Sequence, residues 1–180
     1  MMMNCVVSNV RKMKKIVIAV LLQFLLVSPA FALKAGDLAP AFSLPELGKK
    51  DFYLSDHVGA TKKEDINGVI MSFFASWCVP CRNELPLIDS LVDELNDKGI
   101  KVVIVGFKED FDEIGSLLAE LKVHKPVVLC DRNGKVGEKY AVRFLPTTFF
   151  IGSDGRVKDV AFGEIKDEKE LRDKAGKLLK

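Results

Sequence analysis

The chain has 180 residues, with 27 Lys+Arg against 25 Asp+Glu, a net charge of +2 and four cysteines. Its hydrophobic share of 48% and charged share of 29% exclude a disordered or low-complexity protein. The charge is too weakly basic for a nucleic-acid binder, and the cysteines are too few for a disulfide-dense scaffold. This length predicts one compact domain.

Residues 1–32 have the pattern of a secretory signal peptide. Basic residues at 11, 12, 14 and 15 precede the apolar run Ile16–Val27 and the segment Ser28–Ala32, which ends in small residues two apart. We predict Sec-type export with cleavage after Ala32, leaving a domain of residues 33–180 in the periplasm or another extracytoplasmic space. The alternative is an uncleaved membrane anchor over Ile16–Leu33. Removal of residues 1–32 takes four positive charges and no negative ones, so the net charge becomes −2.

The mature chain begins with short extended segments. Phe42–Leu44 and Phe52–Leu54 are predicted to form an N-terminal β-hairpin extension, with Gly48–Asp51 as its turn. Asp56–Gly68 is polar and predicts an exposed loop or a short helical insertion. Val69–Ala75 is nearly all apolar, which is typical of a strand buried on both faces of a sheet.

Strands and helices then alternate along the chain. The predicted elements are a helix that begins after Trp77 and ends near Gly99, a strand at Ile100–Phe107, a helix from Phe111 with Asp110 as its N-cap and a strand at Pro126–Leu129. A short helix at Gly134–Val142, strands at Thr147–Ile151 and Arg156–Phe162, and a helix at Lys166–Leu179 follow. This order predicts the α/β class, with a mixed central sheet flanked by helices, because the last two strands form a hairpin at one edge.

A Cys-x-x-Cys motif lies where the first buried strand meets the first long helix. Cys78 is predicted at the helix N-cap, where free backbone N–H groups and the positive end of the helix dipole stabilise a thiolate. Cys81, one turn later, can resolve a mixed disulfide, and Pro80 is tolerated in the first turn. The alternatives are a structural disulfide and a zinc half-site. No metal is expected, because the remaining candidate ligands have no paired spacing.

The sequence resembles the TlpA/ResA-like group of extracytoplasmic thiol–disulfide oxidoreductases. The resemblance covers Ala35–Lys180 and rests on the segments Pro40–Pro45, Trp77–Pro86 and Phe144–Ile151. It implies a thioredoxin-like fold. It also implies that Pro146 follows a cis peptide bond and packs beside the cysteines, exposing the backbone of Leu145 to an extended client segment.

Glu84 follows Cys81 by three residues, which puts both on one helical face. A carboxylate buried beneath the cysteines would have a raised pKa and could exchange a proton with the resolving thiol. The alternative is a solvated carboxylate on the helix surface. Cytoplasmic thioredoxins carry a buried Asp six residues before the first cysteine, where this chain has Ser72, so Glu84 or water is the candidate relay.

The direction of electron flow follows from the residues between the cysteines. Val79 and Pro80 supply no charge that would stabilise a thiolate, so we predict a reducing couple and a disulfide reductase. The family implies clients such as cytochrome c maturation substrates and re-reduction by a membrane electron donor of the CcdA/DsbD type. We expect a monomer that needs no cofactor beyond the Cys78–Cys81 disulfide. The rival functions are a thiol peroxidase of the peroxiredoxin class and a copper-binding assembly chaperone.

The remaining candidate side chains have more local expectations. Trp77 is predicted to pack over the site and shield the sulfurs, and the alternative is a core aromatic. The candidate client-binding residues are Trp77, Val79, Pro80, Leu145 and Pro146. Cys130 is predicted to be a buried apolar filler, with a regulatory or intermolecular thiol as the alternative. His57 and His124 are expected to be isolated in polar loops.

Overall fold

The computed structural model describes residues 33–180, and the predicted signal peptide lies outside the described residues. Within this part of the chain no helix is long and apolar enough to cross a membrane. The elements are β1 (Ser43–Leu44), β2 (Phe52–Tyr53), β3 (Gly68–Phe74), α1 (Val79–Asp97), β4 (Ile100–Phe107), α2 (Phe111–Leu121), β5 (Val127–Asp131), α3 (Lys135–Lys139), β6 (Thr147–Gly152), β7 (Val157–Phe162) and α4 (Glu168–Ala175), with 3-10 turns at Leu54–Asp56 and Gly176–Leu179.

Five of the strands form a mixed sheet in the order β5-β4-β3-β6-β7. β3, at the centre, pairs in parallel with β4 and antiparallel with β6, and β7 closes the edge antiparallel to β6. β1 and β2 form the predicted hairpin, with Ser43 opposite Tyr53. The chain after β1 is tied to β5, because Leu47 N–H donates to Val128 O and Cys130 N–H donates to Pro45 O. The predicted α/β class and hairpin extension are confirmed.

The apolar run of β3 is explained by its burial on both faces. All seven of its residues are buried. Successive side chains of a strand point to opposite faces. Ile70 and Phe74 therefore join the core beneath α1, α2 and α4, whereas Met71 and Phe73 join the core beneath the hairpin and α3. The carboxyl end of this rigid central strand leads directly into the cysteine motif.

α1 is held against the sheet by the predicted apolar stripe. The five residues of this stripe are each at most 3% exposed: Leu85, Ile88, Leu91, Val92 and Leu95. Burying each such side chain contributes roughly 1.5–3 kcal/mol. The helix ends before Gly99, whose φ of +67° lies in the left-handed region that glycine adopts without strain. The packing of this stripe against the sheet fixes the first turn of α1 at the edge where β3 ends.

Several predicted boundaries differ from the structure. α3 is shorter than predicted because Ala141 adopts a left-handed φ of +52°. α4 begins after the N-cap Asp167 and passes into a 3-10 turn at Gly176. β5 extends to Asp131, which pairs with Phe107 of β4. In each case the ends depend on pairing and turn geometry that periodicity does not specify.

His57 lies in the predicted polar loop, but the prediction that it is isolated there is wrong. His57 is buried, and its ring stacks on Phe52 with 4.4 Å between centroids. Its Nδ1 lies 3.0 Å from Glu64 Oε2, and Glu64 in turn pairs with Lys101. His57 and Val58 are therefore packed against the core beneath the hairpin, whereas most of the following residues, 60–65 among them, form the predicted exposed loop.

Candidate active site

The two cysteines of the motif form a disulfide at the start of α1. The Cys78 and Cys81 sulfurs are bonded, with 5.3 Å between the Cα atoms. Cys78 is the N-cap, as predicted, and its Sγ accepts a hydrogen bond of 3.3 Å from the backbone N–H of Cys81. Pro80 lies in the first turn, where its missing N–H has no helical partner. A thiolate at Cys78 would face the free N–H groups and positive dipole end of a 19-residue helix.

The two cysteines are both buried, and Cys78 is the less deeply buried residue. Cys78 is 5% exposed and Cys81 is 1% exposed. Cys78 also caps the helix, whereas Cys81 lies inside its first turn. This geometry is suited to a nucleophile at Cys78 and a resolving thiol at Cys81.

Glu84 is buried beneath this first turn, which selects the buried alternative over the solvated one. It is 1% exposed. Its Oε1 accepts from Ser72 Oγ at 3.2 Å and from Thr148 Oγ1 at 3.1 Å, and its Oε2 accepts from Ile165 N–H at 2.9 Å. Burial raises the pKa of Glu84 to about 7, although these three hydrogen bonds favour the charged form. The carboxyl group can therefore gain or lose a proton near neutral pH.

Ser72 contributes to this network in place of the carboxylate of cytoplasmic thioredoxins. It lies on β3 directly opposite Thr148 on β6, and the two hydroxyl oxygens are 2.9 Å apart. Thr148 was not predicted as a site residue, because only the register between two strands 76 residues apart brings it to Glu84. Hydroxyl groups both donate and accept, so this pair can bond to either protonation state of the carboxyl group.

The predicted cis peptide bond is present between Leu145 and Pro146. Pro146 O accepts from Gly163 N–H at 2.9 Å, and Thr147 Oγ1 donates to Phe144 O at 2.7 Å. The first bond ties the segment before β6 to the chain after β7, and the second closes a turn within that segment. Leu145 packs, partly buried, against the core that contains both cysteines.

Large apolar side chains in the segments around the disulfide and the cis-proline are exposed. Trp77 is 71% exposed and Val79 is 68% exposed, directly on either side of Cys78. The core alternative for Trp77 is therefore wrong, and the predicted shielding is not supported, because a side chain this exposed makes few packing contacts. Phe144, two residues before Pro146, is 69% exposed and was not predicted. Exposed apolar groups beside a reactive centre are typical of a protein-binding surface.

Cys130 has no disulfide partner among the described residues and is buried, as predicted. Its Sγ–H donates to the carbonyl oxygen of Glu109 at 3.2 Å. Burial raises the pKa of the Cys130 thiol, so the reactive thiolate is disfavoured there.

Replacing Cys130 by Ala is expected to leave dithiol–disulfide exchange by the Cys78–Cys81 pair within about twofold of the parent rate. The reason is that the buried thiol makes a packing contact and one weak hydrogen bond. Insulin reduction followed by turbidity measures the effect. A loss of tenfold or more in a variant that keeps its folded circular dichroism spectrum would instead assign Cys130 to the redox pathway.

Comparison with known proteins identifies relatives of this chain. Residues 35–160 match the AhpC/TSA family. The thiol–disulfide oxidoreductase ResA of Oceanobacillus iheyensis is 30% identical over 136 residues, which span 73% of this chain and 67% of the relative. ResA of Bacillus subtilis is 32% identical over 132 residues, which span 73% of this chain and 69% of the relative.

Solved structures show the same fold. A protein described as a thiol:disulfide interchange protein DsbE, from Chlorobium tepidum, superposes with a TM-score of 0.71 at 29% identity and covers 83% of this chain and 100% of its own. The thioredoxin-like fold implied by the sequence resemblance is confirmed. The chain thus belongs to the AhpC/TSA family of thioredoxin-fold proteins and, within it, to the thiol–disulfide oxidoreductases of the ResA and DsbE type.

Proposed function

We propose that this protein reduces disulfides of client proteins in an extracytoplasmic compartment, using Cys78 as the nucleophile and Cys81 as the resolving thiol. The observation that carries the proposal is the position of the pair. Cys78 caps a long helix at the end of a central strand, and Cys81 lies deeper, one turn along. The helix N-terminus lowers the pKa of a thiol at the cap and so supplies a thiolate at neutral pH.

The reaction proceeds in two exchanges. The Cys78 thiolate attacks one sulfur of the client disulfide, forms a mixed disulfide and releases the other client sulfur as a thiolate. The Cys81 thiolate then attacks Cys78 Sγ, forms the Cys78–Cys81 disulfide and releases the second client sulfur. Two electrons have passed to the client. Glu84, with its pKa near 7, accepts the proton that Cys81 must lose before the second attack.

The client is proposed to bind as an extended segment across the exposed residues beside the disulfide. Trp77 and Val79 supply apolar contact on either side of Cys78, with Pro80 next to them. The backbone of Leu145 before Pro146 offers hydrogen bonds to the segment, as the sequence resemblance implies. Phe144 extends the apolar surface at this end.

The cellular setting is proposed from the first 32 residues and from the family. A basic cluster, an apolar run and small residues at the cleavage position support export, with a membrane anchor if cleavage does not occur. Outside the cytoplasm the disulfide would be re-reduced by a membrane donor of the CcdA/DsbD type, and cytochrome c maturation substrates are the proposed clients. We expect a monomer with no nucleic-acid partner and no further cofactor.

The reduction potential of the Cys78–Cys81 couple tests the direction of electron flow. We expect a value closer to that of thioredoxin, about −270 mV, than to that of the oxidant DsbA, about −120 mV. The neutral Val79-Pro80 pair lacks a group that would stabilise the reduced form. Equilibration of the purified protein in thiol–disulfide buffers, with the two states separated by alkylation and mass, gives the potential. A value near −120 mV would contradict the reductase proposal.

A second measurement on the same sample, of Cu(I) binding and insulin reduction, distinguishes the reductase from the copper-chaperone alternative. That alternative requires stoichiometric Cu(I) binding by the reduced pair without reduction of insulin. We expect insulin reduction. Its absence, together with tight 1:1 Cu(I) binding, would favour the chaperone.

A further inference from the structure

A buried carboxylate outside the cysteine motif, that of Glu109, is hydrogen-bonded to the turn that precedes Cys78. The chain turns between β3 and α1, and Cys78 N–H donates to Ala75 O at 3.1 Å. Ser76 lies inside this turn. Its backbone N–H is 2.9 Å and 2.8 Å from Glu109 Oε1 and Oε2, and its Oγ–H donates to Oε1 at 2.5 Å. Both oxygens of Glu109 are thus directed at one residue, two positions before Cys78.

The backbone around Glu109 is itself fixed from both sides. Lys108 adopts a left-handed φ of +60°, uncommon for a residue with a Cβ, and its N–H donates to Asp131 O at 3.0 Å. Glu109 O accepts from Cys130 Sγ, and Asp110 caps α2. Backbone strain of this kind persists where the surrounding structure over-determines it, and it is enriched at functional sites. Glu109 is 5% exposed, so its carboxylate is held in a defined place.

From this geometry we infer that Glu109 is a positioning residue for disulfide exchange, which rests on the function proposed above. In the oxidised protein the Cys78–Cys81 bond helps to hold Cys78 in place. Once that bond is reduced, the constraint is gone and the Ser76–Glu109 hydrogen bonds remain. Glu109 touches neither sulfur and acts through Ser76, keeping the Ala75–Cys78 turn closed so that the thiolate stays at the start of α1.

Replacement Glu109→Gln tests the role directly. The amide has one acceptor oxygen, and its NH₂ group faces the Ser76 donors, so at least one of the bonds to Ser76 is lost. We expect the second-order rate constant for insulin reduction to fall on the order of tenfold, because loss of near-attack geometry at a nucleophile lowers reactivity by this amount or more. Circular dichroism and urea unfolding confirm that the variant is folded.

Trp77 provides a readout that does not depend on activity. It is the one tryptophan in the chain and follows Ser76 directly. In Glu109→Gln we expect the fluorescence anisotropy of Trp77 to fall in the reduced protein and to change less in the oxidised protein, where the disulfide still restrains the turn. A general loss of stability would not distinguish the two redox states in this way. If the parent reduces no disulfide, the proposed function fails, yet this comparison still decides whether Glu109 holds the turn.

Glu113→Gln is the matched control. Glu113 is also at the start of α2, but its carboxylate accepts from Asp110 N–H at 3.0 Å and makes no bond to the active-site turn. We expect the parent rate and anisotropy in this variant. Unchanged rate and anisotropy in folded Glu109→Gln would overturn the inference, as would an equal loss in Glu113→Gln.

Ser76→Ala covers the case in which Glu109→Gln does not fold. This change removes the hydroxyl bond and keeps the N–H bonds, so we expect a smaller effect, a few-fold fall in rate with lower reduced-state anisotropy. The double variant should lose less activation free energy for insulin reduction than the two single variants together, because both changes act on one contact. If Ser76→Ala has the rate and the anisotropy of the parent, or if the two effects are fully additive in the double variant, the proposed role of Glu109 is contradicted.

Discussion

Replacing Cys78 by Ala is expected to lower insulin reduction by a thousandfold or more, to the level of the uncatalysed exchange. Cys78 is the less buried of the two cysteines and the one at the helix N-cap, so no other described thiol can replace it. Cys130 is buried, and burial raises the pKa of its thiol. The rate is measured from the turbidity of reduced insulin with dithiothreitol as the electron source.

Cys81→Ala should fail at a different step. The first exchange still occurs, but nothing attacks the mixed disulfide, so the client remains bound to Cys78. Non-reducing electrophoresis and intact mass are expected to show a 1:1 adduct with a disulfide-bonded client peptide, whereas Cys78→Ala shows none. An adduct formed through Cys81 in Cys78→Ala would reverse the assigned roles.

The same variant separates the reductase from a thiol peroxidase. A peroxidatic cysteine reduces hydrogen peroxide without needing a partner three residues away. We expect no peroxide turnover by Cys81→Ala above that of Cys78→Ala. Turnover that survives loss of Cys81 and disappears with Cys78 would favour the peroxidase alternative.

The elements that position this site could be predicted because their signals are local. The apolar run of β3 reflects burial on both faces, and the three-to-four-residue spacing from Leu85 to Leu95 reflects one buried helix face. The N-cap position of Cys78 follows from where those two patterns meet. The cis bond before Pro146 came from the family resemblance and not from the residues themselves.

The environment of the site could not be predicted, because it depends on contacts between distant segments. Thr148 reaches Glu84 across 64 residues of chain, and Glu109 reaches Ser76 across 33. These contacts are set by strand register and by a left-handed turn at Lys108, neither of which has a clear sequence signal. For the same reason the sequence left Glu84 between a buried and a solvated position and predicted too much packing for Trp77.

Glu84 makes the stability of the fold depend on pH in an unusual direction for an acid. The unfolded chain has the ordinary glutamate pKa of 4.5, and the folded protein has one of about 7, so the folded state binds the proton more tightly. The stabilisation that comes from protonated Glu84 is therefore complete below about pH 4.5 and is lost as the pH rises to 7. Above pH 7 the buried charge costs about 3 kcal/mol relative to the protonated group.

Glu84→Gln should remove this dependence, because Gln resembles the protonated acid in shape and charge. Its oxygen can accept from Ile165 N–H, and its NH₂ can donate to the Ser72 and Thr148 hydroxyls. In urea unfolding of the oxidised proteins, the stability of Glu84→Gln relative to the parent is expected to rise by about 3 kcal/mol between pH 4.5 and pH 8. Parallel curves for the two proteins would contradict the assigned pKa.

Glu94→Gln is the control of opposite sign. Hydrogen bonds from Arg172 and Lys98 lower the pKa of exposed Glu94 to about 2, so its contribution is present above pH 4.5 and lost as pH falls, and salt weakens it. Glu84, buried away from counterions, should be far less sensitive to salt.

The protonation of Glu84 should also affect the rate of disulfide exchange. The rate of exchange by the parent is expected to show an inflection near pH 7 that is absent in Glu84→Gln, whereas an unaltered profile would leave Glu84 a structural residue only.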